Sequence, residues 1–371
     1  PDLGAVRMGV FATDIDDARY RIVPGRRADR GKAPPRLCAG RRFAACLIAI
    51  CAAVLICASA AGAQDLRLAL WHAPLSRDGP GLLLRDLEKR EAELVALAEA
   101  LGRADADIVV LTRFDYDAKA AALTAFAQIV DAGYDHVIAL RSNAGIPTTQ
   151  DMDGDGRFGE PEDAQAFGRF PGQEALAVLS RYPLDLSGVR SFNDILWRDL
   201  PGTHIQPGDL GGDVQRVSSG GHWVVPIEVG DGARHLSLLI GHAGAPVFDG
   251  PEDRNGRRNL DELRLWGQIL DGLHGAPPRA PFAVMANTKL DPQRGEGYRD
   301  AMAAFLARVD LTDPLPDQIT ADWDDPGPMR VSYLLLSSDL RLRAASVWPA
   351  APELDHKLIT VDIRLPDVPL P

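Results

Sequence analysis

Between residues 66 and 140 the chain alternates two hydrophobic patterns, and this alternation limits the folds open to it. Leu66 to Trp71 is a short apolar run. Leu87, Leu94, Leu97, Ala98 and Leu101 then recur at helical spacing, which predicts an amphipathic helix over 87–102. Ile108-Val109-Val110-Leu111 reads as a buried strand, followed by a helix near 117–131 and a strand at 137–140. A β-α-β-α-β opening of this kind implies a layered α/β domain. Further strands are expected at 175–179, 222–229, 235–241, 282–285, 331–336, 343–347 and 358–363. A helix is expected over 260–271, with Leu260, Leu263, Trp266 and Leu270 on one face. Asn259 would be its N-cap and Glu262 its third residue, in the manner of a capping box. The segments 141–174 and 244–259 are long Gly/Pro/Asp-rich loops, a length that points to function. There is no internal repeat and no low-complexity linker, so residues 64–371 read as one domain.

The first 63 residues have a different character. Residues 1–36 are polar and arginine-rich without apolar periodicity, and read as a leader outside the fold. Arg41-Arg42, the apolar run from Phe43 to Ala60, and Ala61-Gly62-Ala63 have the order of a signal peptide with cleavage before Gln64. The alternative is an uncleaved anchor, since about 18 apolar residues just span a bilayer. The alanine richness and the small-residue end favour cleavage. The expectation is an exported protein, periplasmic or secreted, with no membrane span after cleavage. All four cysteines (Cys38, Cys46, Cys51 and Cys57) lie before Gln64. The remaining domain therefore has neither disulfides nor thiolate metal ligands.

Beyond residue 63 the chain carries 30 Lys+Arg against 47 Asp+Glu, a net charge of −17. Such a balance disfavours nucleic acid as a partner and suits bound cations. One loop has the pattern for a cation. Asp151, Asp153 and Asp155 occupy positions one, three and five, Gly156 position six and Glu162 position twelve of an EF-hand-type loop. Three carboxylates, the Arg157 carbonyl and a closing Glu162 would surround a structural Ca2+. The flanks lack long amphipathic helices, so this is an isolated loop; the alternative is a solvated acidic turn.

A set of segments in fixed order resembles the endonuclease/exonuclease/phosphatase superfamily, whose fold is deoxyribonuclease-I-like. Leu66 to His72 looks like its first strand, and Asp107-Ile108-Val109-Val110-Leu111 like its second. Ser180-Arg181-Tyr182-Pro183-Leu184, the strand ending in His242, Leu290-Asp291-Pro292 and Asp355-His356 complete the series. The resemblance spans about residues 66–363. It implies an α/β fold: a four-layer α/β sandwich of two mixed sheets flanked by helices. It also implies phosphoester hydrolysis with a divalent cation, in which a His–Asp pair activates water. Carried over residue by residue, it assigns His242, Asp355 and His356 as catalytic.

The metal positions depart from the family pattern. His72 stands in place of the first-strand Asn, and Arg113 in place of the second-strand Glu. Asn287 and Lys289 replace the Asp and Asn of the D-x-N segment, and Ser332 replaces the Asp before Tyr333. Arg113 and Lys289 place two fixed positive charges where Mg2+ needs oxygen ligands, so an ordinary Mg2+ site in the cleft is not expected. Two readings stay open. In one, the cations substitute for the metal and a small phosphorylated substrate or other anion is hydrolysed with His356 as base. In the other, the domain is a non-catalytic, calcium-stabilised binding module. His72, Arg77, Arg113, Asn287, Lys289 and Arg254 are the candidate anion ligands. His136, His204, His222, His235 and His274 show no zinc spacing, and there is no P-loop, dinucleotide glycine turn or serine elbow.

Overall fold

The structure, a computed structural model, describes residues 13–15, 17–23, 64–230, 232, 234–349 and 354–366. The expected signal segment and its cleavage site lie outside the described residues. Among those described, no helix is long and apolar enough to cross a membrane.

Two sheets form the centre. The first contains β1 (Thr13–Ile15), β2 (Ala18–Ile22), β3 (Asp65–Trp71), β4 (Ile108–Phe114), β5 (His136–Leu140), β6 (Ala175–Ser180), β15 (Arg341–Val347) and β16 (Ile359–Arg364). Their spatial order is β1-β2-β5-β6-β4-β3-β16-β15. The second contains β7 (Arg190–Ser191), β8 (Gly221–Val229), β9 (Arg234–His242), β10 (Phe282–Asn287), β11 (Leu311–Thr312) and β14 (Ser332–Ser337), in the order β11-β14-β10-β9-β8-β7. A separate hairpin pairs β12 (Ala321–Asp322) with β13 (Pro328–Met329). Each sheet is mixed: β3 pairs parallel to β4, and β9 parallel to β10, while their other neighbours are antiparallel.

Three apolar layers follow from alternation along the strands. Leu68, Leu70, Val110 and Val178 face Trp223, Leu238, Ile240 and Met285 between the sheets. The opposite face of the first sheet, including Ala69, Val109 and Leu111, packs on helices α1 (Leu82–Glu88), α2 (Ala92–Ala104) and α3 (Ala121–Val130). Leu239, Val284 and Leu335 on the second sheet pack on α4 (Arg254–Leu270) and α5 (Arg299–Leu306). The result is the four-layer sandwich. Its inner strands are buried on both faces, which is why they appear as continuous apolar runs, whereas the edge strand β15 is largely exposed.

The expected elements change in three places. The helix over 87–102 is two helices, α1 and α2, broken where Arg90 takes a left-handed φ of 54°. The helix expected over 260–271 begins five residues before Asn259, so Asn259 is a buried interior residue and not a cap. Part of the segment assigned to the leader belongs to the fold. Ala18 and Tyr20 alternate with Arg19 and Arg21, bury their side chains against the core, and pair antiparallel with β5. Five alternating residues in an arginine-rich stretch are too short a pattern to stand out.

Register brings the candidate residues to one end of both sheets. In the second sheet Asn287 pairs with His242 on one side and Ser332 on the other, while His242 also pairs with Gly221. In the first sheet His72 follows β3, Arg113 lies near the end of β4, Glu174 precedes β6 and His356 precedes β16.

Candidate functional site

Three histidines form the inner wall of the cleft. The His72 ring lies 4.2 Å from that of His356 and 4.8 Å from that of His242, measured between centroids. Trp323 meets His356 edge-on at 5.1 Å. His72 Nδ1 lies 3.0 Å from Thr112 Oγ1, and the Trp71 indole N–H donates to the His356 carbonyl at 3.2 Å. His242 Nδ1 approaches the Glu174 carbonyl at 3.4 Å. Gly220 backs onto the His242 ring so closely that a Cβ there would come within 2.6 Å of Nδ1.

Electrostatics hold this wall neutral. Burial lowers the pKa of His72 and His242 well below the ordinary value, and the Lys289 ammonium adds to the effect. His356 is pushed down to about 2 by burial, then by Lys289, His242 and Arg113. Desolvation and nearby positive charge both disfavour imidazolium. Lys289 is half-buried at a turn after β10 with a φ of 57°, and burial lowers its own pKa. Of the residues expected to share this site, the structure brings His242 and His356 together with Arg113, Asn287, Lys289 and His72, while the Asp355 carboxylate stays exposed outside the group.

Glu174 is a member of the site that the sequence does not reveal. Its carboxylate accepts from Arg113 Nε at 2.8 Å, and its N–H donates to Asp115 at 3.2 Å. The only sequence signal is a charged residue abutting the apolar strand β6. Asn287 donates to Ser332 Oγ at 3.1 Å, while Asn287 Oδ1 and His356 Nδ1 are buried without a hydrogen-bond partner.

Other candidates stand elsewhere. The Asp355 carboxylate is exposed and makes no hydrogen bond among the described residues; its backbone carbonyl accepts from Asp322. It does not orient His356. Arg77 is taken up by Asp86 and Glu93 and by the Pro74 and Ser76 carbonyls, so it is not an anion ligand. Arg254 donates to the Met152 and Leu210 carbonyls and to Gln215, which makes it a brace for two loops. In the acidic loop, carboxylate oxygens of Asp151, Asp153 and Asp155 lie within 4.8 Å of one another. The Arg157 side chain turns to Asp155 and Glu160. Glu162 is exposed and outside this group, and Asp163 turns inward instead to accept the Met152 N–H at 2.7 Å.

The cleft does not suit the divalent metal that the resemblance implies. Mg2+ demands oxygen ligands in near-octahedral array. Here the corresponding positions hold an arginine, a lysine, a histidine, an amide and a hydroxyl, and the carboxylate of Glu174 is already paired with Arg113. The arrangement offers two cations beside neutral imidazoles, which is chemistry for an anion.

Comparison with known proteins agrees with the architecture. A structure of an endonuclease/exonuclease/phosphatase from Beutenbergia cavernae superposes with a TM-score of 0.53 at 19% identity, covering 81% of this chain and 72% of that one. A family protein from Bacteroides thetaiotaomicron gives 0.49 at 12% identity, covering 82% and 99%. No curated protein matches the chain. The sequence profile of the Endonuclease/Exonuclease/phosphatase family matches residues 70–356, from the end of β3 to His356. The match takes in His72 to His356 and so includes every residue named for the cleft, and on it the chain belongs to the endonuclease/exonuclease/phosphatase family.

Proposed function

We propose that the cleft binds a phosphorylated anion on fixed protein charge and does not carry out metal-dependent hydrolysis. The observation that carries this reading is the placement of Arg113 and Lys289 beside three neutral histidines, where a metal would need carboxylates. His356 supports it. A general base works best with a pKa near the working pH, whereas His356 is held at about 2, with Nδ1 unpartnered and Asp355 pointing elsewhere. Each neutral ring has one N–H; that of His242 goes to the Glu174 carbonyl, so His72 and His356 supply the ring donors to phosphate oxygens and the two side-chain cations supply the charge.

Phosphate monoesters and diesters, titrated by calorimetry, should bind the wild-type protein and show no turnover with Mg2+ or Mn2+. Hydrogen bonds to charged groups contribute about 1.5–3 kcal/mol, so Arg113→Ala or Lys289→Ala should each weaken binding roughly tenfold to a hundredfold. Retention of His242 and His356 favours a second reading, metal-free hydrolysis. Turnover lost in His356→Ala would establish that reading, and absence of any anion binding would remove the first.

We also propose that the Asp151–Asp153–Asp155 loop binds Ca2+ to brace the segment leading to Glu174. A cation bound only by the folded loop stabilises the domain by mass action. Calcium should therefore raise Tm, and Asp153→Ala with Asp155→Ala should abolish the increase. Identical melting curves in calcium and in chelator would remove the site.

A further inference from the structure

Glu174 sits where an incoming anion would have to bind. It directly precedes β6 with a left-handed φ of 46°, and Asp115 holds its amide in place. Its carboxylate pairs with Arg113 Nε at 2.8 Å, and the side chains are 35% and 39% exposed. The pair therefore lies at the open side of the cleft, where ion pairs are weak enough to exchange. Glu174 is also the charge that most favours the Lys289 ammonium. One carboxylate thus already answers part of a two-cation site, and the three neutral histidines add no charge.

We propose that the cleft selects a compact dianion, a phosphomonoester in preference to a phosphodiester, because Glu174 occupies Arg113 until the ligand displaces it. This rests on the anion-binding reading above. A monoanionic diester that displaces Glu174 exchanges one ion pair for another of equal charge. A dianion takes Arg113 from Glu174 and still pairs with Lys289. Selectivity then comes from an internal competitor, with no contact to the organic part of the ligand.

The test compares wild type, Glu174→Gln and Arg113→Gln by calorimetry at two pH values, about 5 and about 7.5, which bracket the second ionisation of a phosphomonoester near 6. The probes are phenyl phosphate, sulfate and dimethyl phosphate. The groups facing the ligand are His72, His242, His356, Lys289, Arg113 and Glu174. Sulfate, dianionic at both pH values, reports any titration of theirs. Wild type should bind phenyl phosphate at least about tenfold more tightly at the higher pH, sulfate equally at both, and dimethyl phosphate most weakly. Glu174→Gln should bind dimethyl phosphate at least about tenfold more tightly than wild type does, narrowing the gap between monoanion and dianion. Arg113→Gln should weaken all three. Wild-type binding with no gain in Glu174→Gln overturns the proposal alone and makes Glu174 a positioning residue for Arg113. No binding of any probe to wild type or Glu174→Gln overturns the anion reading, and this proposal with it.

Discussion

Arg258→Met should destabilise the domain by about 3–5 kcal/mol, the range for removing one partner of a buried charged network. Arg258 lies on the inner face of α4, and its guanidinium donates to four backbone carbonyls: Gln165 at 2.8 Å, Arg216 at 2.7 Å, Val217 at 3.1 Å and Ser218 at 3.3 Å. Burial pushes its pKa down to about 10, against the pull of Glu262. Methionine fills the space but leaves those carbonyls without a charged donor in the interior, and an orphaned buried polar group costs its full desolvation. For a domain of this size each kcal/mol moves Tm by about 2–4 °C, so a fall of roughly 6–20 °C is expected. Arg258→Lys should recover little, because a single ammonium cannot reproduce the planar fork. Urea unfolding that shows less than about 1 kcal/mol of change would mean that the loops hold themselves.

The same helix explains where the sequence is silent. The strands are legible because both faces of each sheet are covered, so Ile108–Leu111 or Phe282–Met285 read as unbroken apolar runs. The first turns of α4 are not, because their inner face is polar. Arg257 forks onto Asp209, and Asn259 donates to the Gly244 and Thr288 carbonyls. Asp261 accepts from the Trp197 indole, Thr203 and His204, and Glu262 accepts from Ser219 and Gly244. A search for apolar periodicity starts that helix only at Leu260. α5 escapes for a different reason: only Met302 and Phe305 in it are buried.

The cleft divides in a similar way. His72, Arg113, His242, Asn287, Lys289 and His356 are locatable because the order of the family segments places them at strand ends. Glu174 belongs to no such segment, and its role exists only because the ladder of β4 and β6 sets it beside Arg113. Arg77 and Arg254 show the converse. An arginine in a loop reads as an anion ligand until its acids and carbonyls are in view.

Between pH 4.5 and 7 the stability of the wild-type protein, measured against Glu262→Gln, should fall by about 3 kcal/mol. Glu262 is 1% exposed, and burial raises its pKa from the ordinary 4.5 to about 7, although Arg258 and the N–H groups of Ser219 and Gly244 pull the other way. The sign follows from proton counts. In this window the unfolded chain has lost the proton that the folded protein keeps, so the unfolded state binds fewer protons and stability declines as pH rises. The contribution is complete below the unfolded pKa and is lost as pH rises through the folded one; the size is about 1.36 kcal/mol per pH unit over the shift. Glutamine keeps the shape, but it cannot accept from both N–H groups. That defect adds an offset independent of pH, so the slope of the difference isolates the titration. Urea unfolding of both proteins at several pH values provides the measurement, and a flat difference would show that folded Glu262 is ionised throughout. In an Arg258→Met background the favourable pull on the carboxylate is gone, and the decline should extend to higher pH, still beginning at the unfolded pKa. The two N–H donors to Glu262 flank the site. Ser219 precedes Gly220, which backs onto the His242 ring, and Gly244 lies two residues beyond His242.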